Sequence, residues 1–161
     1  LWSEEGIMRK NQAVVRDVPL DTVYQNRDVS RIIRKVMKGG KMSVAERLVY
    51  AALNKVQKVT EQDPMNVLMK AVKNITPEVE VKSKRIGGAN LQVPVEVRPR
   101  RQKSLAIRWL VTYARSRRER GFAEKLAQEI VDAYHERGGA YKKKTDVLRM
   151  AEANRTFASF G

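Results

Sequence analysis

The sequence holds a single histidine, His135, and no cysteine. Thiolate metal sites, histidine-rich metal sites and disulfides are therefore excluded, while a reducing compartment is permitted. His135 falls near a predicted helix end, where a cation suits the helix dipole, and this reading outweighs a catalytic one. The stretch "KGGKMS" echoes a phosphate-binding loop but fails as one: no glycine stands five positions before Gly40, and Met42 replaces the required Ser or Thr. No GxGxxG occurs, and the carboxylates are scattered among lysines and arginines as surface pairs. No catalytic residue, metal ligand or cofactor is expected.

The chemistry that remains is phosphate binding. Lys and Arg number 33 against 18 Asp and Glu, a formal net charge of +15 with a pI near 10.3. A polyanion gains by releasing its counterions to such a surface, and arginine adds bidentate geometry. The cations cluster: Arg9 and Lys10; Lys38 and Lys41; Lys82, Lys84 and Arg85; Arg98, Arg100, Arg101 and Lys103; Arg115, Arg117 and Arg118; Lys142, Lys143 and Lys144. Apart from the first pair, they fall at the boundaries between predicted elements, where loops and helix ends can converge on one side of a bundle.

Those elements read mainly α. The 161 residues suit one domain. Residues 1–25 show no period and read as a flexible basic arm; 26–161 read as a helical domain. The acidic start of the chain, "LWSEEGI", does not read as a signal or transit peptide; either Met8 is the native start or a longer precursor is cleaved, and no apolar run reaches membrane-spanning length. A first helix runs from Asp28 with Val29, Ile32, Ile33, Val36 and Met37 as its apolar face, and Gly39-Gly40 stops it. Ser43 and Glu46 suggest a capping box opening a second helix along Val44, Leu48, Ala52 and Val56. Asp63-Pro64 opens a third. A basic link at 98–103 leads to a helix carrying Leu105, Trp109, Leu110 and Tyr113, with Trp109 in the core. A fifth helix carries Phe122, Leu126, Ile130 and Tyr134. After Lys142–Lys144, Thr145 caps a sixth through Val147, Leu148, Ala151 and Phe157. About six helices and one protruding β-hairpin make the fold.

The hairpin, over about 78–98, is the least ordinary element. Val79, Val81, Val93, Val95 and Val97 give its base an apolar character, and Pro94 is tolerated because both strands are edges. Its tip is Lys84, Arg85, Ile86, Gly87, Gly88, Ala89 and Asn90, with Gln92 beyond. A two-stranded ribbon is marginal alone in water, so the base should rest on helices while the cationic tip seeks another partner. Gly87 and Gly88 allow positive φ and close approach of backbone to a ligand.

"EVKSKRIGGANLQVPVEV" followed by "SLAIRWL" resembles the hairpin and following helix of small-subunit ribosomal protein seven of bacterial and organellar type. "VMKGGKMSVAERLVYAAL" and "KKKTDVLRMAEANRTFA" are similar to that family's early helix–loop–helix and C-terminal signature, so the likeness spans about residues 18–158. It implies a structural constituent of the small ribosomal subunit, not an enzyme, in a bacterial cytoplasm, plastid or mitochondrion. The resemblance further implies a primary binder of small-subunit rRNA that nucleates the 3′ major (head) domain, with small-subunit proteins nine and eleven as neighbours. The hairpin would lie by exit-site tRNA and mRNA. Carried over by position, the rRNA-facing residues include Lys41, Lys82, Arg98, Arg100, Arg101 and Lys142–Lys144, and those of the hairpin tip are Lys84, Arg85, Gly87, Gly88 and Gln92. Leu91 stands where the family often has an aromatic, and Leu148 where a histidine is usual. Residue by residue, the expected division is an rRNA-anchoring stem and exit, and a tip, Lys84–Asn90, that reaches toward the tRNA and mRNA path.

Two other classes remain open on the residues alone. An architectural DNA-binding protein would also carry a basic β-ribbon with proline near its tip. Five or six helices with scattered basic loops suit irregular RNA better than a uniform duplex. An RNA-processing enzyme would need a catalytic constellation, which the sequence lacks.

Overall fold

The computed structural model describes residues 18–160. Arg9, Lys10 and most of the expected basic arm lie outside them. Among the described residues the order is α1 (Arg27–Val36), α2 (Met42–Thr60), α3 (Pro64–Ile75), β1 (Val79–Ile86), β2 (Ala89–Glu96), α4 (Pro99–Arg115), α5 (Phe122–Tyr134), α6 (Gly139–Ala153) and a closing 3₁₀ turn (Arg155–Phe160). The mainly helical architecture with one antiparallel hairpin is the one expected.

Local chemistry explains most boundaries. Asn26 caps α1, its side-chain oxygen accepting the Asp28 and Val29 N–H groups at 2.7 and 3.3 Å. Just upstream, the Asp21 carboxylate accepts N–H groups of Val23, Tyr24 and Asn26 at 3.1, 2.6 and 2.6 Å, and the Tyr50 hydroxyl at 3.3 Å. That turn fastens the chain to α2 before the first helix begins. Asp63 caps α3 by accepting the Met65 N–H at 3.0 Å, with Pro64 at the first helical position.

Three boundaries differ from the sequence reading. The Ser43–Glu46 capping box does not form: Lys41 is the N-cap of α2 and makes no side-chain cap bond. Gly39 and Gly40, at φ 60° and 73°, swing the chain round early. Ala45 N–H then reaches the Lys41 carbonyl at 3.3 Å, which leaves Ser43 inside the first turn. The basic link at 98–103 is helix, because Pro99 presets φ at the first helical position and Gln102 N–H closes on the Arg98 carbonyl at 2.9 Å. Last, α6 starts at Gly139, not at Thr145, so Lys142–Lys144 lie within the helix and Phe157 falls in the 3₁₀ turn beyond it. Its cap comes from α5: the Glu129 carboxylate accepts the Ala140 N–H at 2.9 Å.

The core forms where α5 packs against α2, α3 and α4. Leu53, Leu68, Ile75, Leu110, Leu126 and Ile130 are fully buried there, each contributing roughly 1.5–3 kcal/mol by removal from water. Trp109 joins the core as expected, and His135 ends α5 as its C-cap. In the hairpin, Gly87 and Gly88 form the connection with φ 58° and 82°, the positive pair that a type I′ turn needs. Val81 pairs with Pro94, so the missing proline N–H costs no ladder bond from a third strand. At the base, Val93 and Val97 are buried and Val79, Val81 and Val95 half-buried.

Candidate nucleic-acid interface

Among the described residues, six cations converge on a groove of about 570 Å³ between α1 and the start of α4. Arg27, Arg31, Arg34 and Lys35 line it from α1, and Arg100 and Lys103 from α4, over a floor that includes Pro99 and Ile107; none of its lining residues is acidic. Spacings of four, seven and eight residues put the α1 cations on one helical face, opposite buried Val29, Ile32, Ile33 and Val36. The sequence reading singled out none of these four. The polar stripe at helical period was the signal that could have found them.

One carboxylate outside the groove aims two of its cations, and a second ties down the neighbouring edge. Asp28 bonds Arg31 Nη1 at 2.7 Å and Lys103 Nζ at 3.1 Å, bridging the two helices. Glu80 receives Arg101 Nε at 2.9 Å, which couples the hairpin base to α4, and lies 3.8 Å from Lys82 Nζ. The Gln102 side-chain amide donates to the Val97 carbonyl at 2.9 Å and seals the same corner. Arg98, the exposed N-cap of α4, completes this cationic edge.

A second cluster surrounds the Gly39-Gly40 loop. Lys38, Lys41, Arg115 and Lys125 rim an apolar hollow of about 400 Å³ floored by Met37, Val44, Leu48 and Phe122. Arg115 also donates to the last carbonyls of α1, Lys35 and Val36, at 3.2 and 3.3 Å, where a cation is favourable. Sequence-distant Lys38, Lys41 and Arg115 are thus brought together.

Arg117 is employed inward. Its guanidinium meets Glu119 at 3.0 Å, Glu129 at 2.7 Å and Asp132 at 3.0 Å, and the side chain is only 19% exposed. Burial opposes its charge, but the hydrogen bonds it donates to Glu119, Glu129 and Asp132 hold its pKa above the ordinary arginine value. The hydrogen bond from Arg117 in turn pulls Glu119 below its ordinary 4.5. Arg118, next in sequence, is exposed with no carboxylate partner among the described residues.

The hairpin separates its tip residues by face. Arg85 pairs with Asn90, and Ser83 with Gln92, so these exposed residues share one face; Lys84 lies on the other, opposite Leu91. Lys84 Nζ turns back and donates to the Phe160 carbonyl at 2.8 Å. On α6, Lys142 is exposed and Lys144 stands 5.4 Å from the Tyr141 ring centre. Cations so near a helix start oppose the dipole, as do Arg100 and Arg101 on α4, and neither first turn contains an acid. An outside anion would relieve both. Among the described residues, no cluster of three His, Cys, Asp or Glu can hold a metal ion, and no helix is long and apolar enough to cross a membrane.

Comparison with known proteins agrees along nearly the whole chain. Residues 8–155 match the family profile described as ribosomal protein S7p/S5e. The chain is 53% identical over 152 residues to a small ribosomal subunit protein uS7 from a Synechococcus species, covering 94% of this chain and 97% of the relative. It is 50% identical over 153 residues to the uS7 of Helicobacter hepaticus, covering 95% and 99%. Against the uS7 of Mesomycoplasma hyopneumoniae it is 49% identical over 152 residues, covering 94% and 97%.

Proposed function

The chain belongs to the ribosomal protein S7p/S5e family, and from that membership we propose how its surface serves the small ribosomal subunit. The family is structural and non-enzymatic, and its place is the ribosome. Within it, this protein binds small-subunit rRNA through the α1–α4 groove and the cationic edge at Arg98 and Arg100. By holding RNA segments that are distant in sequence against one rigid helical body, it nucleates the 3′ major domain, the subunit head. Small-subunit proteins nine and eleven are the neighbours this position entails.

The observation that supports this reading best is the groove itself: six cations from two helices, with no acid in its lining. Phosphate contacts supply affinity and register, and Arg31 and Lys103, already held by Asp28, lose less ordering entropy on binding than free side chains would. The hairpin projects from this body. Its exposed face of Ser83, Arg85, Asn90 and Gln92 carries donors and acceptors without a domain of its own to satisfy, and Gly87 and Gly88 keep its end thin. We assign that face to exit-site tRNA and mRNA. Lys84, tied to the Phe160 carbonyl, braces the ribbon instead.

Sedimentation tests the reading. Tagged protein expressed in a bacterial host should travel with small subunits on a low-salt gradient. Protein that runs free of subunits and retains duplex DNA would overturn it in favour of the architectural DNA-binding alternative.

A further inference from the structure

A larger groove, of about 820 Å³, opens beside the first among α3, α4 and α6; its lining includes Met69, Lys70, Lys73, Lys103, Lys144 and Leu148. We propose that RNA held in the α1–α4 groove crosses the start of α4 and continues here as an unpaired strand, with Lys70, Lys73 and Lys144 taking its phosphates. This rests on the rRNA-binding reading and adds α3 to the interface.

Continuity is the first argument. Pro99 and Lys103 line both grooves, so the two are separated only by the first turns of α4. Charge is the second. Four lysines from three helices face the groove against Asp28 and Glu78, and Asp28 is already bonded to Arg31 and Lys103. Lys70, Lys73 and Lys144 have no carboxylate partner among the described residues.

Lys70 and Lys73 stand one turn apart on the same face of α3, as successive contacts to one strand require. Lys70 is also held in place. Its Nζ lies 4.6 Å from the Tyr134 ring centre, and that ring is fixed by its hydroxyl donating to Gln62 at 3.1 Å and by the Asn74 amide donating to the Tyr134 carbonyl at 3.2 Å. A cation–π contact restrains the lysine while leaving ammonium protons free for phosphate.

The apolar wall selects among RNA forms. Met69 is 54% exposed and Leu148 half-buried beside it. Such surface gains by covering the face of an unstacked base, which a duplex hides and a single strand offers. An acidic protein segment would use the lysines equally, but nothing would then connect it to the groove across α4.

The test is a titration of full-length protein with a 3′-domain rRNA fragment across a potassium chloride series. It compares wild type, Lys70→Ala/Lys73→Ala, Lys70→Arg/Lys73→Arg, and Arg31→Ala/Arg34→Ala in the first groove. The alanine pair on α3 should bind more weakly, with the slope of log K against log salt shallower by about 1.4, two single-strand phosphate contacts; the arginine pair should keep the wild-type slope, and thermal midpoints should agree. A slope and affinity equal to wild type for the alanine pair on α3, while the α1 pair weakens, would overturn the second groove and leave the rRNA reading standing. The same would hold if the α3 pair bound RNA normally but lost a small-subunit protein on sedimentation. Wild type failing to bind the fragment would overturn the rRNA reading and this inference with it.

Discussion

Arg117 and Arg118 are neighbours of identical type, and the structure gives them opposite employment. Arg117 neutralises Glu129, a carboxylate 1% exposed beneath the α4–α5 loop, whereas Arg118 faces solvent. Arg117→Ala leaves that buried charge unpaired and should cost about 3–5 kcal/mol in urea denaturation; Arg118→Ala should change stability by less than about 0.5 kcal/mol. The reverse order would contradict the placement of Arg117. Glu119 adds a pH signature. The Arg117 hydrogen bond holds its folded pKa below the ordinary 4.5, so its contribution is complete above that value and is lost as pH falls through the lowered one. Glu119→Gln should therefore flatten part of the acid limb of a stability–pH profile while leaving its neutral-pH shape alone. The sequence shows all three charges but not their pairing, because the partners stand 12 to 15 residues from Arg117 on another helix, at Glu129 and Asp132.

Elements were legible where their signals are local. Asp63-Pro64 opens α3 and Gly87-Gly88 turns the hairpin as the sequence indicates, because each needs only adjacent residues. The start of α6 was not legible, since its capping carboxylate, Glu129, belongs to α5. That junction is tight: a Cβ on Gly139 would meet Tyr113 Cδ1 at 2.6 Å. Gly139→Ala should destabilise by about 1–3 kcal/mol and speed amide exchange over the first turn of α6; unchanged exchange there would contradict the close packing against α4. The hairpin yields a functional prediction at the same scale. Arg85→Ala should leave binding to a head-domain rRNA fragment within about twofold, under 0.5 kcal/mol, yet lower exit-site tRNA occupancy on reconstituted subunits. Equal loss in both assays would end the division between body and tip.

For the whole molecule, net charge of +15 states the class of partner but not the place of contact. Chain order put the cations at boundaries; folding carried Arg100, Arg101 and Lys142–Lys144 into helices, took Arg117 inward, and gathered Arg27, Arg31, Arg34 and Lys35 opposite Arg100 and Lys103. That convergence needs the crossing of α1 and α4, which rests on buried Ile33, Val36 and Ile107 and on the Asp28 bridge, so it could not be read from charge runs alone. On the proposed reading, this groove is the main rRNA contact. Competition binding of Arg34→Ala/Arg100→Ala to a 3′-domain rRNA fragment, with duplex DNA as competitor, tests it most directly. Wild type should prefer the rRNA, and the variant should show a salt slope shallower by about 1.4 to 1.8 with unchanged folding. Wild-type affinity and slope in the variant, or duplex DNA displacing the rRNA from wild type, would contradict it.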